Sequence, residues 1–282
     1  MKGSDRPDPA ITSSSLEALL FDVDGTLADT EETHRQAFNY AFVRFRLEWN
    51  WTPALYRELL SVSGGRERIL AYIETVSRSQ SEKQRLHALV PAIHEAKTLL
   101  YTELIGDGRC PLRPGVARLL TEAMQSGVQL AIASTTTSAN VHALLDRHLG
   151  RGSRPRFDVI ACADAVERKK PAPDIYRQVV AMLGRSPPQC VAFEDSENGL
   201  RAAKGAGLFT VVTPSMWTRD GDFSAADLVL AHLGDPERPL PDADATRLGR
   251  PWLSLAELAH RHGLAMQPDG AETMQPDGAG TA

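Results

Sequence analysis

The sequence predicts an α/β fold: a parallel sheet with an all-helical insert after its first strand. Three observations predict it. Short apolar runs recur along the chain, helical patterns separate most of them, and residues 33–108 carry helical periodicity with no convincing strand. Strands alternating with helices at this spacing build βαβ units, and hence a parallel sheet covered by helices on both faces.

The first strand is Ala18-Leu-Leu-Phe21, an apolar run that ends at Asp22 and then Gly25. Such a run is a buried strand leading into a loop. Leu130–Ala133, Phe157–Ile160, Cys190–Phe193 and Thr210–Thr213 follow as strands, with Leu228–Leu230 a weaker sixth. A helix opens at Pro114-Gly115 and stops at Gly127, with Val116, Leu119, Leu120 and Ala123 on one face. Residues 140–149, 174–183 and 198–206 read the same way. In the insert, Phe38, Ala41, Phe42 and Phe45 repeat at helical spacing, as do Leu86, Leu89 and Ile93, then Leu99, Leu100 and Leu104. An aromatic stripe of this kind is a helix face turned to a core. The resulting division is a polar, flexible leader at 1–15, a core at 16–32 and 109–264, a helical cap at 33–108 and a disordered tail at 265–282. The tail repeats Met-Gln-Pro-Asp-Gly-Ala from Met266 and from Met274, two copies too polar for a solenoid.

Composition narrows the function classes. The 282 residues are 42% hydrophobic and carry a formal net charge of −5, which suits a globular protein and disfavours nucleic acid or an anionic membrane as partner. No run approaches the roughly 20 apolar residues of a spanning helix. Cys110, Cys162 and Cys190 form no C-x-x-C pair, so neither a disulfide framework nor a structural zinc site is expected, and a reducing cytoplasm fits. The leader has no apolar signal-peptide segment.

The chemistry concentrates where strands end. Phe21-Asp-Val-Asp-Gly-Thr-Leu27 puts two carboxylates just past a buried strand, on the sheet edge where ligands bind. Asp22 can attack phosphorus, and Asp24 can protonate a departing alkoxide and then activate water. Glu194 and Asp195 end a later strand. Asp22, the main-chain carbonyl of Asp24, and Asp195 make a plausible oxygen site for Mg2+. Glu194 either ligates directly or holds a metal-bound water. Asp195 and Ser196 also suit the cap of the next helix. Ser134-Thr135-Thr136 ends another strand with hydroxyls and N–H groups suited to phosphoryl oxygens. Lys170, in Lys169-Lys-Pro-Ala-Pro173, is placed to neutralise the phosphoryl group and Asp22.

These four segments, in this order over roughly residues 17–213, resemble the haloacid dehalogenase-like hydrolase superfamily. The resemblance implies a Rossmann-like core with the cap inserted after the first strand. It makes Asp22 the nucleophile, Asp24 the acid/base, Ser134 the phosphate donor, Lys170 the phosphate-binding lysine and Asp195 a magnesium ligand. Dehalogenases lack the carboxylate at the position of Asp24, so its presence favours phosphoester cleavage.

The insert resembles the CbbY-type phosphatases more narrowly. The segments concerned are Asp29–His34, Ser63-Gly-Gly-Arg-Glu-Arg-Ile69, Ile93-His-Glu-Ala-Lys-Thr98 and Ser134–Thr137 with Asn140. The resemblance implies cleavage of xylulose 1,5-bisphosphate to xylulose 5-phosphate through an aspartyl-phosphate. Substrate contacts are then implied at Glu31, Gly64, Gly65, Arg66, Glu67, Arg68, His94, Lys97, Ser134, Thr135, Thr136, Asn140 and Lys170. Family members carry Lys where Arg66 stands and Thr where Ser134 stands. The charges agree with a second phosphate, which needs cations of its own: Arg66, Arg68, His94 and Lys97 in the cap, with Arg113 adding another. The expected protein is a cytoplasmic monomer whose partner is a small phosphorylated sugar. Rival readings are a phosphoglycolate phosphatase, a β-phosphoglucomutase-like phosphosugar mutase and a non-catalytic phosphometabolite scaffold.

Overall fold

Ala18–Phe21 has no polar face, so a strand made of it must be covered on both sides. In the computed structural model, which describes residues 16–108, 110–150 and 156–266, that strand lies inside a six-stranded sheet. The expected leader lies outside the described residues, as does the expected tail apart from Ala265 and Met266. The strands are β1 (Ala18–Phe21), β2 (Gln129–Ala133), β3 (Val159–Ala161), β4 (Cys190–Glu194), β5 (Phe209–Val212) and β6 (Leu228–Val229). They run in the order β3-β2-β1-β4-β5-β6, and every pairing is parallel. The chain therefore builds outward from β1 on one side, then crosses to β4 and builds outward on the other. The crevice where that direction reverses is the ligand-binding position of open parallel sheets.

The pleat sorts side chains by parity. Leu19, Phe21, Leu130, Ile132, Val191 and Phe193 face one layer, shared with α5 (Val116–Gln125), α6 (Ser138–His148) and α10 (Leu255–Ala265). Ala18, Leu20, Ala131, Ala133, Cys190 and Ala192 face the other, covered by α7 (Asp174–Leu183) and α8 (Glu197–Gly205). The small alanines on that second face let α7 and α8 lie close. Phe21 stacks on Phe193 at 4.5 Å, which ties β1 to β4 directly beneath the sheet edge.

Boundaries differ from the sequence reading in identifiable ways. Phe157 and Asp158 precede β3; the Asp158 N–H still donates to the Leu130 carbonyl (2.8 Å), while its carboxylate accepts from the Leu130 N–H (3.0 Å). Pro114 stands before α5 and not in its first turn; Gly115 takes the capping position at φ 83°, pressed against the Gly234 backbone, where a Cβ would fall 2.2 Å from a carbonyl oxygen. The sequence reading does not place α9 (Asp242–Leu248), which has few apolar positions, or α10, whose Leu255 and Leu258 follow a Ser254 cap; Leu248 and Leu258 are both buried.

The insert holds four helices: α1 (Glu31–Arg44), α2 (Pro53–Leu59), α3 (Gly65–Val76) and α4 (Gln80–Gly106). The two leucine stripes belong to one 27-residue helix, α4, although Leu99 is 55% exposed. The aromatic stripe is core, as expected: Phe38 and Phe42 pack on Trp51 at 4.6 and 4.9 Å. One member of that cluster comes from outside the insert. Trp217, on the loop after β5, meets Tyr56 edge-on at 5.6 Å. The insert is thus packed over the sheet edge by an aromatic plug as well as by its two connections.

Trp217 is only 6% exposed, so Trp217→Ala should cost about 3–5 kcal/mol. A urea unfolding curve checks this; an unmoved midpoint would mean that the plug does not hold the insert.

Candidate active site

Register creates the floor of the site. Phe21 pairs with Phe193 across β1 and β4, so Asp22 and Glu194 emerge side by side, and the Asp22 N–H donates to the Phe193 carbonyl at 3.0 Å. Carboxylate oxygens of Asp22, Glu194 and Asp195 all lie within 4.8 Å of one another, and all three residues are buried. Lys170 enters from the loop after β3. Its Nζ donates to Asp22 Oδ1 (2.6 Å), Glu194 Oε1 (2.6 Å) and the Ala133 carbonyl (2.8 Å). The Tyr176 hydroxyl, from α7, donates to the same Glu194 oxygen at 2.5 Å.

One ammonium does not balance three buried carboxylates. Burial raises the Asp22 carboxyl to about 8 although Lys170 pulls the other way, with Glu194 and Asp24 adding to the rise. Burial also lifts Asp195 well above the carboxylate range, helped by the charges of Asp22 and Glu194. Burial works against the charge of Lys170, yet Asp22 and Glu194 hold it above the ordinary lysine value. The floor therefore has an excess of negative charge and only oxygen donors, a combination that fits a hard divalent cation. Gly25 leaves the room required: a Cβ there would fall 2.1 Å from Asp195 Oδ2. Thr218, beside the Trp217 plug, donates to that same oxygen at 3.0 Å.

Asp24 turns the other way, into the insert. Its Oδ1 accepts from Thr30 Oγ1 at 2.6 Å and from His34 Nε2 at 2.9 Å. His34 Nδ1 lies 2.6 Å from Lys97 Nζ, and its ring stacks on Tyr101 at 4.1 Å. A lysine ammonium only donates, so Nδ1 accepts and Nε2 carries the proton toward Asp24, which is the neutral tautomer. Burial and then Lys97 push His34 down, in agreement with that form. Burial opposes the charge of Asp24, but His34 and Thr30 outweigh it and hold the carboxyl well below its usual range. Burial brings Lys97 down to about 7.

Above the floor opens a cavity of about 640 Å³. It is lined by the expected core residues Asp22, Asp24, Ser134, Thr135, Thr136, Asn140, Lys170 and Asp195. The expected cap residues Glu31, Gly64, Gly65, Arg66, Glu67, Arg68, His94 and Lys97 line it as well. Asn140 Nδ2 donates to Thr136 Oγ1 at 2.9 Å, which shapes the loop after β2, and Asn140 Oδ1 is buried without a partner among the described residues. Glu31 accepts from Tyr56 at 2.7 Å. Gly64 holds φ 95° at the start of α3, a value that favours glycine.

The cations divide by whether their donors are already engaged. Arg68, expected to face substrate with a free charge, gives its fork to the Leu59 carbonyl, the Tyr56 hydroxyl and the Val62 carbonyl. Lys97 is committed to His34. His94 is pushed to about 3, by burial first and then by Lys97, Arg66 and Lys169, so it offers a neutral ring. Arg66 is exposed, with no ion pair among the described residues. Arg113 is a correction. It does not line the cavity but donates to the carbonyls of Gly25, Thr213, Pro214 and Ala231, bracing the loops after β1, β5 and β6. Sequence reasoning gave no role to His34, Tyr176, Thr218 or Lys169. A histidine on the buried face of α1, beside Thr33, Ala37 and Phe38, was the available signal for His34; Tyr176 and Thr218 have none, because their partners are distant in the chain.

A model of the haloacid dehalogenase-like hydrolases matches residues 16–207. The chain belongs to this family. The CbbY protein of Cupriavidus necator is 48% identical over 253 residues, spanning 89% of this chain and 99% of its own. A phosphorylated carbohydrates phosphatase of Thermotoga maritima is 31% identical, over 68% of this chain and 82% of its own. Among solved structures, a CbbY variant from Rhodobacter sphaeroides in complex with xylulose-(1,5)bisphosphate is 45% identical. It has a TM-score of 0.72 and covers 77% of this chain and 94% of its own. Within the haloacid dehalogenase-like hydrolases this chain is a phosphatase, and none of the described helices is long and apolar enough to cross a membrane.

Two outcomes test the sorting of the cations. Arg113→Met should lower stability by about 3 kcal/mol, because it strands buried carbonyls; an unmoved urea midpoint with a raised KM would put its charge on substrate instead. Lys97, held near 7, disfavours the folded state fully below that pH, and the penalty is relieved as pH rises toward the ordinary lysine value of 10.5. Lys97→Met should therefore gain Tm relative to the parent at pH 6.5, with the gain shrinking steadily toward pH 9.5; a constant difference would place the titration elsewhere.

Proposed function

We propose that this chain is a magnesium-dependent phosphatase that removes one phosphate from a sugar bisphosphate, with xylulose 1,5-bisphosphate giving xylulose 5-phosphate as the preferred reaction. The observation that carries this reading is a single cavity with Asp22 at its floor and the Gly64–Arg68 turn at its roof, two polar ends for two phosphates. The Rhodobacter sphaeroides relative bound to xylulose-(1,5)bisphosphate supports the choice of sugar.

The floor performs the transfer. Asp22 attacks phosphorus in line; an Oδ–P bond forms as the bond from phosphorus to the sugar oxygen breaks. Asp24 gives its proton to the departing oxygen, then takes one from the water that cleaves the aspartyl-phosphate. The pull of His34 and Thr30 favours the ionised carboxylate, which suits the second half-reaction; for the first, Asp24 has to collect its proton before water is excluded. Lys170 and the Ser134 hydroxyl, with the N–H groups of Thr135 and Thr136, receive the charge on the transferring oxygens. Asp22, Asp195 and the Asp24 main-chain carbonyl would hold magnesium, which would add to the neutralisation of that charge. Glu194 serves through Lys170, whose ammonium it orients together with Asp22. The insert excludes water over the cavity, and its placement decides where Asp24 points.

A substrate panel tests this: xylulose 1,5-bisphosphate, 2-phosphoglycolate, β-glucose 1-phosphate and p-nitrophenyl phosphate, each with magnesium and with EDTA. The bisphosphate should lead in kcat/KM by about tenfold or more, and EDTA should abolish turnover until magnesium is restored. Equal rates across the panel would reject the substrate, and net conversion of β-glucose 1-phosphate to the 6-phosphate would support a mutase. Asp22→Asn should lose roughly 10⁴-fold or more in turnover while keeping its circular dichroism spectrum; near-parental turnover would remove Asp22 as nucleophile.

A further inference from the structure

Two adjacent lysines leave the loop after β3 in different directions. Lys170 goes down to Asp22 and Glu194. Lys169 crosses to the insert and donates to Glu67 Oε1 at 2.6 Å. We propose that Lys169 is a specificity-determining residue, the core's cation for the second phosphate of the substrate, held on Glu67 until that phosphate arrives. This rests on the bisphosphate reading above.

Three observations place Lys169 at the roof. It lines the cavity, together with Arg66, Glu67 and His94. Its Nζ lies against the glycine turn, 2.9 Å from where a Cβ on Gly64 would stand. It also acts with Arg66 and Lys97 on the His94 ring, so Arg66, Lys169 and His94 share one electrostatic neighbourhood. Among the described cavity-lining cations, Lys97, Arg68 and Lys170 are tied to buried partners. That leaves Arg66 and Lys169 able to turn toward a ligand.

The ion pair that occupies Lys169 is well suited to be temporary. The Lys169 side chain is 18% exposed and Glu67 is 41% exposed, a pair that water screens and that contributes little. Glu67 Oε2 is buried against the glycine turn with no partner among the described residues, so the carboxylate is only half engaged and loses little by leaving. A phosphate brings up to two charges and several acceptors, enough to draw the ammonium away while Glu67 turns to solvent. Arg66 then supplies a planar fork and Lys169 a mobile point charge. The bound phosphate would replace a direct cap-to-core ion pair with a cap–phosphate–core bridge. A monophosphate leaves Lys169 on Glu67 and gains none of this.

The test compares the full-length parent with Lys169→Gln, Lys169→Arg and Glu67→Gln on xylulose 1,5-bisphosphate and on p-nitrophenyl phosphate, with Tm measured for each. For Lys169→Gln, the loss of kcat/KM on the bisphosphate should exceed the loss on p-nitrophenyl phosphate by about tenfold or more, mostly through KM. Lys169→Arg should recover most of it, and Glu67→Gln should lower KM for the bisphosphate. Equal losses on both substrates, or no loss, overturn the assignment. A parent that shows no preference for the bisphosphate brings down the substrate reading and this inference with it; a preference that survives Lys169→Gln brings down the role of Lys169 alone.

Discussion

Everything at the sheet edge depends on one buried ammonium held between two carboxylates, Lys170 with Asp22 and Glu194. Three acidic side chains cannot leave water together at the centre of a sheet unless cations come with them. Lys170 supplies part of that charge, and the remaining deficit makes the floor a cation site. The surrounding structure serves the same constraint. Tyr176 completes the Glu194 oxygen. Gly25 and Gly199 keep Cβ atoms out of the space; at Gly199 a Cβ would fall 1.8 Å from Glu194 Oε2. Such a cluster contributes little stability itself. The Phe21–Phe193 stack and the apolar faces beneath it provide the rigidity that holds these groups together.

Asp22 and Asp24 are two residues apart and chemically alike, yet their environments push them in opposite directions. Asp22 sits among carboxylates and rises; Asp24 accepts from a hydroxyl and an imidazole and falls. A pair of acids separated in this way can divide nucleophile and proton carrier between them. The separation also spans the two parts of the molecule. Asp22 is fixed by the sheet, whereas Asp24 is fixed by α1 and, through His34 and Lys97, by α4. The insert therefore holds the Asp24 carboxylate as well as covering the cavity, and in the proposed reaction it would take part in the proton chemistry.

Much of this was legible in the chain. The strand Ala18–Phe21 announces itself because four apolar residues end at a charged pair and a glycine, and local pattern suffices there. The floor was legible because Asp22, Ser134, Lys170 and Asp195 each follow a strand, and a parallel sheet brings all such ends to one edge. The fate of cationic side chains was not legible. Arg66, Arg68 and Arg113 are identical in the sequence, and only tertiary structure shows that Arg113 braces three loops and that Arg68 is spent on backbone carbonyls and a tyrosine. Trp217 was hidden for the same reason: its partners, Tyr56 and the insert's aromatic cluster, are far away in the chain.

That difference bears on how selectivity is divided within the site. At the floor the charged groups are buried and held in place, with Asp195 left for a cation, so on the proposed reading they would treat many phosphate esters alike. At the roof Arg66 is exposed, His94 is neutral, and Lys169 is held by one oxygen of a part-exposed Glu67 side chain. Groups in that condition respond to what a ligand brings, because little is lost when they leave their resting partners. On the bisphosphate reading proposed above, the chemistry would be set where the charges are locked, and the choice of substrate would be made where they are still free to move.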